Sequence, residues 1–382
     1  CSPLQKPSKM AAAIADEQKV VYNFIGKSGL RVSNICLGTL TFGSEGTTSR
    51  PGQNTEEYAH KVLDRFVEWG GNFIDTANVY ATGKSEEIVG SWLQAKNERD
   101  RYVVATKVRF NMDPSNANQI GLGRRHITQA IEDSLRRLHT DYVDIYQMHC
   151  WDHGVPVEET LRTMHDLIRC GKVRYTGSSN VTGWQMQKLV AVADKLDIPP
   201  VATLQQQYNL LCRDGEMEAF QVCKIEGIGV LPWSPLKGGL LTGKFTRDAT
   251  PTDGRIGWVA QNESRGSHSH PAWSKVKEDE KVWNVIDTCK RIGDAHGKSV
   301  AQVALRWLLQ RDVVPSVIIG ARTLEQLDQN MGAANGWAIT AQEMKELDEV
   351  SAPTLTHPHD LINNVNVARY NPWMPEYRVG NK

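Results

Sequence analysis

Asp75, Tyr80, Lys107 and His149 are the residues of this chain whose types and placement suit proton chemistry. Asp75 closes the apolar run Phe73-Ile74-Asp75, and Tyr80 follows it by five positions. Lys107 ends Tyr102-Val103-Val104-Ala105-Thr106-Lys107, and His149 ends Asp141-Tyr142-Val143-Asp144-Ile145-Tyr146-Gln147-Met148-His149. A carboxylate at the end of a buried strand needs a partner, and Lys107, His149 or a nucleotide site are the candidates. A free Tyr titrates near pH ~10, so at neutral pH it holds its proton and releases it reluctantly. An ammonium within hydrogen-bonding reach favours the phenolate, by about 1.4 kcal/mol for each pKa unit lowered. A carboxylate beside that ammonium keeps it charged. Taken singly, Lys107 reads as a solvated charge, His149 as a satisfied ring and Tyr80 as packing; four such residues at successive strand ends point to one site.

The elements that must position them alternate. Tyr22-Asn23-Phe24-Ile25, the Gly-bearing turn Gly26-Lys27-Ser28-Gly29 and Leu30-Arg31-Val32 read as a hairpin. Strands follow at Ile35–Thr39, Phe73–Asp75, Tyr102–Lys107, Asp141–His149, Val173–Gly177, Ala202–Gln205, Gly229–Pro232 and Val313–Ile319. Helical spacing of apolar residues predicts helices over Thr55–Glu68, Arg124–Leu138, Val157–Arg169, Gly183–Lys195, Gly215–Ile225, Ser274–Ala295, Ser299–Gln310 and Leu324–Met331. Another is expected to be N-capped by Ser85 and to run through Trp92, with Glu86 and Glu87 in its first turn. Eight strands alternating with helices demand parallel strands and crossover connections. With polar groups at strand ends and no Gly-rich first turn, the expected architecture is an α/β fold, a (β/α)8 TIM barrel, rather than a doubly wound sheet. The expected divisions are an N-terminal extension over 1–20 (1–9 upstream or non-native), the barrel over 21–350, and a tail over 351–382 docked on it. Thr246–Ser274 reads as a long loop after the seventh strand, and the tail's Tyr370-Asn371-Pro372-Trp373-Met374-Pro375 as the piece that docks.

Composition narrows the partners. With 44 basic and 44 acidic residues the net charge is zero, which gives no electrostatic case for nucleic acid or an anionic membrane. No apolar run approaches the roughly 20 residues that span a bilayer, and the N-terminus lacks a secretory h-region. Seven scattered Cys without a CxxC pair read as reduced, buried thiols of a cytoplasmic protein.

Gly71-Asn72-Phe73-Ile74-Asp75-Thr76-Ala77, Thr106-Lys107 and Gln147-Met148-His149 resemble the signatures of the aldo-keto reductases, over about Tyr22 to Val350. The spacing Asp-Thr-Ala-x-x-Tyr and the turn Trp233-Ser234-Pro235-Leu236 are similar to the branch of bacterial-type oxidoreductases and potassium-channel β-subunits. The resemblance implies that Tyr80 is the general acid, Lys107 and Asp75 its activating pair, and His149 the donor that orients a carbonyl. It implies an NADPH site in which Ser179, Asn180 and Gln205 meet the nicotinamide carboxamide and Trp233 stacks on the ring. In that site Gly38, Thr39 and Asp75 line the nicotinamide side. Ser234, Leu236 and Gly238 would meet the pyrophosphate, with Lys244 adding charge. At the last strand, Gly320, Arg322, Gln326 and Asn330 open a helix whose N-terminus attracts anions; Arg322 facing a 2′-phosphate is the argument for NADPH over NADH.

The function expected is NADPH-dependent reduction of an aldehyde or ketone by a monomer acting on a small-molecule carbonyl. Trp151 is expected as a pocket wall, and Arg109 as either a solvated charge or the anchor of a substrate anion. The latter makes a sugar-derived or keto-acid aldehyde, such as an open-chain deoxy-uronate, attractive. The alternative, equally compatible with an intact tetrad, is a β-subunit-like regulatory or redox-sensing protein that binds NADPH. Tyr80-Ala81-Thr82-Gly83-Lys84 matches a Tyr-x-x-x-Lys motif of short-chain dehydrogenases, but Gly83 argues against the helix that motif needs. The pairs His268/His270 and His357/His359 lack ligating neighbours at metal spacing, so no metal is expected.

Overall fold

The structure, a computed structural model, describes residues 19–43, 53–267 and 270–369. The docking segment expected around Trp373, most of the N-terminal extension and His268 lie outside the described residues.

The hairpin pairs β1 (Tyr22–Phe24) with β2 (Arg31–Ser33) in antiparallel register. Eight parallel strands then make the barrel, in an order that follows the chain around the wall. They are β3 (Ile35–Gly38), β4 (Phe73–Asp75), β5 (Val103–Val108), β6 (Val143–Met148), β7 (Val173–Ser179), β8 (Thr203–Gln207), β9 (Gly229–Trp233) and β10 (Val317–Ile319). β10 pairs with β3, and the bond from Val230 N to the Val313 carbonyl ties β9 to the approach to β10. The chain is a (β/α)8 barrel.

The crossover helices are α1 (Glu56–Glu68), α2 (Lys84–Lys96), α3 (Arg124–Leu138), α4 (Val157–Arg169), α5 (Gly183–Lys195), α6 (Ala219–Glu226), and, beyond α7 (Gly254–Gln261) and α8 (Trp273–Val276), α9 (Glu280–His296), α10 (Val300–Leu309) and α11 (Leu324–Met331). α12 (Ala341–Val350) and α13 (His359–Asn366) follow the barrel. Reciprocal capping boxes start α5, α10 and α12 at Thr182/Gln185, Ser299/Gln302 and Thr340/Glu343.

The core has two parts. Outward strand residues and inward helix faces form the large layer, including Ile74, Val104, Tyr146, Leu204, Ile131 and Leu189. Inside the barrel a smaller cluster, Cys36, Phe73, Val103, Ala105, Ile145, Leu231 and Ile318, is stoppered from below by Ile25, Val32 and Leu30 of the hairpin. The barrel is therefore apolar at its floor, and polar groups gather at the C-terminal ends of the strands. At Gly177 a Cβ would lie 2.2 Å from the Thr203 hydroxyl and 2.9 Å from Gln147, so the interior leaves no room for a side chain there.

Several expectations need correction. Ser85 caps nothing. It lies fully buried inside the first turn of α2 and bonds Thr39 and Thr76, tying β3, β4 and α2 together. The last strand is only Val317–Ile319, because Pro315 has no N–H to donate and Val314 N closes a turn on Arg311. The helix expected over Ser274–Ala295 is two pieces, α8 and α9. The stretch 246–274 is not wholly irregular, since α7 buries Ile256 and Val259. Of the described cysteines, none pairs, and Cys170 is exposed rather than buried. The described part of the tail sets α13 on the surface, with Leu361, Ile362 and Val365 exposed and His359 3.5 Å from Glu218. No helix among the described residues is long and apolar enough to cross a membrane, and no group of three metal-ligating side chains occurs among them.

Candidate active site

Strand register brings the four proton-chemistry residues together. Asp75 pairs with Ala105 across β4 and β5, and Lys107 lies one pleat further along the same face. Lys107 in turn sits opposite Gln147 on β6, two residues before His149. Lys107 is fully buried, and its ammonium donates to Asp75 Oδ2 at 2.7 Å, the Thr76 carbonyl at 2.7 Å and Tyr80 Oη at 3.3 Å. Asp75 Oδ1 accepts the amides of Gln205 at 2.8 Å and Gln147 at 3.2 Å. A buried carboxylate and a buried ammonium each cost several kcal/mol to desolvate, and this set of donors and acceptors offsets that cost at both ends. Tyr80 and His149 face each other edge-on with ring centroids 6.0 Å apart.

The electrostatics sharpen the expected roles. Burial opposes the Lys107 charge, but Asp75 and Tyr80 outweigh it and its pKa is raised, so the ammonium persists. For Tyr80 burial wins: its pKa is raised, with Asp75 adding to the rise while Lys107 and then Arg255 pull it back. The net depression expected from Lys107 alone is not what the site produces; Tyr80 is held as a firmly protonated phenol. Burial, then the charge of Lys107, pushes His149 well below the ordinary imidazole value, so the ring is neutral at neutral pH. Its Nδ1 is buried without a partner.

The second half of the mouth is built from turns. Asn180 takes a left-handed conformation (φ 53°) just beyond β7. Its amide donates to the His149 carbonyl at 2.9 Å and accepts from Trp233 Nε1 at 3.2 Å, so Asn180 fastens His149 to Trp233. Ser179 Oγ accepts from the same amide. Gln205 gives its Nε2 to Asp75, which leaves its carbonyl oxygen for a donor. Thr39 presents no free side chain, because its buried hydroxyl is engaged with Ser85 and the Asp75 carbonyl.

Past β9, Ser234, Lys237, Gly238, Gly239 and Gly243 all adopt positive φ. They make a tight turn in which Lys237 N and Gly239 N donate to the Ser234 and Leu236 carbonyls, both at 2.9 Å. Lys244 Nζ and Arg322 Nη2 converge on Gly254, lying 3.6 and 3.8 Å from where its Cβ would be, and Lys244 pairs with Asp253 at 2.8 Å. Gly320, at the end of β10, has open space above it. Arg322 N donates to Gln326 Oε1, and Thr323 caps α11. Asn330 is buried further along that helix. Leu236 of this turn packs at the edge of the core. A glycine-bearing turn with the two cations Lys244 and Arg322 beside Gly254 suits an anionic ligand.

The substrate side is aromatic. Phe110 is exposed and stands edge-on to His149 at 4.8 Å. Trp151 packs edge-on against the exposed Trp184 at 5.5 Å. Arg109 lies two residues past Lys107, 4.0 Å from Asp152. Asp152 already accepts the amides of Leu122 and Gly154, and Arg109 Nε is buried without a partner. Phe110, Trp184, Gln147 and Arg255 are not singled out by the sequence alone. Two-residue alternation back from His149 would have found Gln147; the others depend on loop paths.

The fold is a (β/α)8 barrel with a buried carboxylate, ammonium, phenol and imidazole at its mouth, and the comparisons place it among oxidoreductases. The model of the aldo/keto reductase family matches residues 34–352, and the chain belongs to that family. It is 36% identical over 322 residues to the uncharacterized oxidoreductase YrpG of Bacillus subtilis, covering 82% of this chain and 90% of that protein. It is 31% identical to an aryl-alcohol dehydrogenase (NADP(+)) of Phanerodontia chrysosporium, covering 84% of this chain and 83% of that protein. It is also 34% identical to a putative voltage-gated potassium channel subunit beta of Schizosaccharomyces pombe, covering 89% and 96%.

Proposed function

We propose that the protein is an NADPH-dependent reductase of aldehydes or ketones. The observation that carries this reading is the Lys107 ammonium, bonded at once to Asp75 and to the Tyr80 hydroxyl at the barrel mouth. NADPH, when bound, supplies the hydride. The neutral His149 imidazole keeps one N–H to offer the carbonyl oxygen, and the Tyr80 O–H delivers the proton to that oxygen. Lys107 then stabilises the phenolate left behind until a proton from solvent restores it. Donation of this kind is worth ~10²–10⁴ in rate. Ser179, Asn180, Gln205 and Trp233 would hold the nicotinamide, the turn from Ser234 to Gly243 the diphosphate, and Arg322 with Lys244 the 2′-phosphate.

The substrate class is a carbonyl on a flat, aromatic or conjugated frame. Phe110 and the Trp151–Trp184 pair support it, as does the name of the fungal aryl-alcohol relative. Arg109 adds preference for a substrate that also carries a carboxylate, the feature shared by keto-acid and sugar-derived aldehydes. Likeness to a channel β-subunit keeps a second reading, a regulatory NADPH-binding protein that works through a partner. Turnover separates the two. The purified chain with NADPH should reduce neutral aromatic aldehydes, and carboxylated ones with a lower KM that Arg109→Ala raises. If a panel of aromatic aldehydes, ketones and anionic sugar aldehydes consumes no NADPH beyond background, the reductase reading is lost.

A further inference from the structure

Behind the reacting face, on the helix side of the wall, three side chains from three elements meet. Glu86 of α2 is fully buried. Its Oε1 accepts the Thr106 hydroxyl at 2.5 Å and its Oε2 accepts Arg137 Nε, from the last turn of α3, at 2.7 Å. Each contact leads to a catalytic group. Thr106 directly precedes Lys107, and strand alternation turns Thr106 outward to Glu86 as it turns Lys107 inward to Asp75 and Tyr80. Tyr80 opens a turn in which Ala81 (φ 48°), Thr82 (φ 54°) and Gly83 (φ 94°) are all left-handed, and α2 begins directly after it. Arg137 runs beneath that turn, with its Cδ 2.9 Å from where a Gly83 Cβ would be.

Left-handed conformations at two non-glycine residues are unfavourable and persist only where surroundings impose them. A buried ion pair is a poor source of stability, since an apolar pair of like volume is often as stable or better. What it supplies is fixed geometry, here between the strand that carries Lys107 and the turn that carries Tyr80.

We propose that Glu86, clamped between Thr106 and Arg137, is a positioning residue that sets the approach of Lys107 to the Tyr80 hydroxyl. The inference rests on the reading of Tyr80 as proton donor tuned by Lys107. Thr106→Val tests it in the full chain, because it deletes the donor to Glu86 while keeping the shape and the ion pair; Glu86→Gln is the second variant. Melting temperature and circular dichroism report folding. Tyr80 ionisation is followed by NMR of 13Cζ-tyrosine, assigned by Tyr80→Phe. With Lys107 withdrawn, the Tyr80 titration should move to higher pH. kcat should fall about ten- to hundredfold, as misplacement by a fraction of an ångström to 1 Å does, while KM and the Kd for NADPH hold within about twofold. The titration decides: a folded Thr106→Val protein whose Tyr80 titrates as in wild type overturns the proposal, whatever its kcat. Because that readout needs no substrate, absence of turnover would sink the reductase reading and leave this test standing.

Discussion

Across the barrel mouth, the ends of β4, β5 and β6 hold their polar groups through buried side-chain bonds, whereas the ends of β7, β9 and β10 present theirs on backbone turns. Tyr80, Lys107, Asp75 and Gln147 form a chain of side-chain bonds inside the wall. Asn180, Ser234, Lys237, Gly238 and Gly239 instead form a series of left-handed turns, with Lys237 N and Gly239 N closing on the Ser234 and Leu236 carbonyls. Chemistry at a single proton needs fixed charges at fixed separations in a dry setting. A long, flexible, multiply charged cofactor is met better by many backbone donors and a few cations at the rim. Asn180 and Gln205 join the two halves, since one fastens His149 to Trp233 and the other donates to Asp75.

If that division holds, damage to the first half should remove the chemical step and spare the cofactor. Lys107→Met should lower kcat by roughly 10²–10⁴ while NADPH binding, followed by fluorescence titration, stays near wild type; parallel loss of both would erase the distinction. Asp75→Asn strands the buried Lys107 ammonium, and denaturant unfolding should show about 3–5 kcal/mol less stability. A change within error would mean that Asp75 is not the group that holds the charge.

Damage to the second half should do the reverse. Arg322→Ala deletes one charge-assisted contact, worth about 1.5–3 kcal/mol, so NADPH should weaken by roughly tenfold to a hundredfold with NADH and kcat little changed. Equal weakening of both nucleotides would remove Arg322 from the 2′-phosphate.

The smallest effect is a pH dependence of stability. Folded His149 has a depressed pKa, from burial and then Lys107, while the unfolded residue protonates near ~6.5. The unfolded state therefore binds the extra proton first as pH falls. His149 contributes stability above pH ~6.5, and that contribution declines by up to about 1.4 kcal/mol per pH unit below it, down to the folded pKa. His149→Gln should flatten this part of the curve; an unchanged slope would show that the ring is not held neutral.

The same division governs what was legible in the sequence. Asp75, Lys107 and His149 could be read because each interrupts an apolar run at the point where a barrel strand ends, and eight such runs imply the barrel. Gly38, Ser179 and Trp233 are legible only through family likeness, and Arg322 also from the helix start after the last strand, because turns announce themselves weakly in residue type. Ser85 before acidic residues looks like a cap, and only the meeting of β3, β4 and α2 shows that its hydroxyl is needed inside. Gly254 and Gly257 hid α7, whose stability comes from burying Ile256 and Val259 rather than from propensity. The direction of the Tyr80 shift could not be read either, because the sequence shows the Lys partner but not the depth of burial.

The most direct test of the central claim is the rate of NADPH oxidation in a single turnover, measured against pH for wild type and Tyr80→Phe. The account predicts a wild-type rate that shows no loss near pH ~6.5, because His149 is already neutral, and that falls only above pH ~10, as Tyr80 gives up its proton. It predicts a Tyr80→Phe rate at least about 100-fold lower with unchanged NADPH affinity. A Tyr80→Phe protein that turns over at the wild-type rate would contradict it.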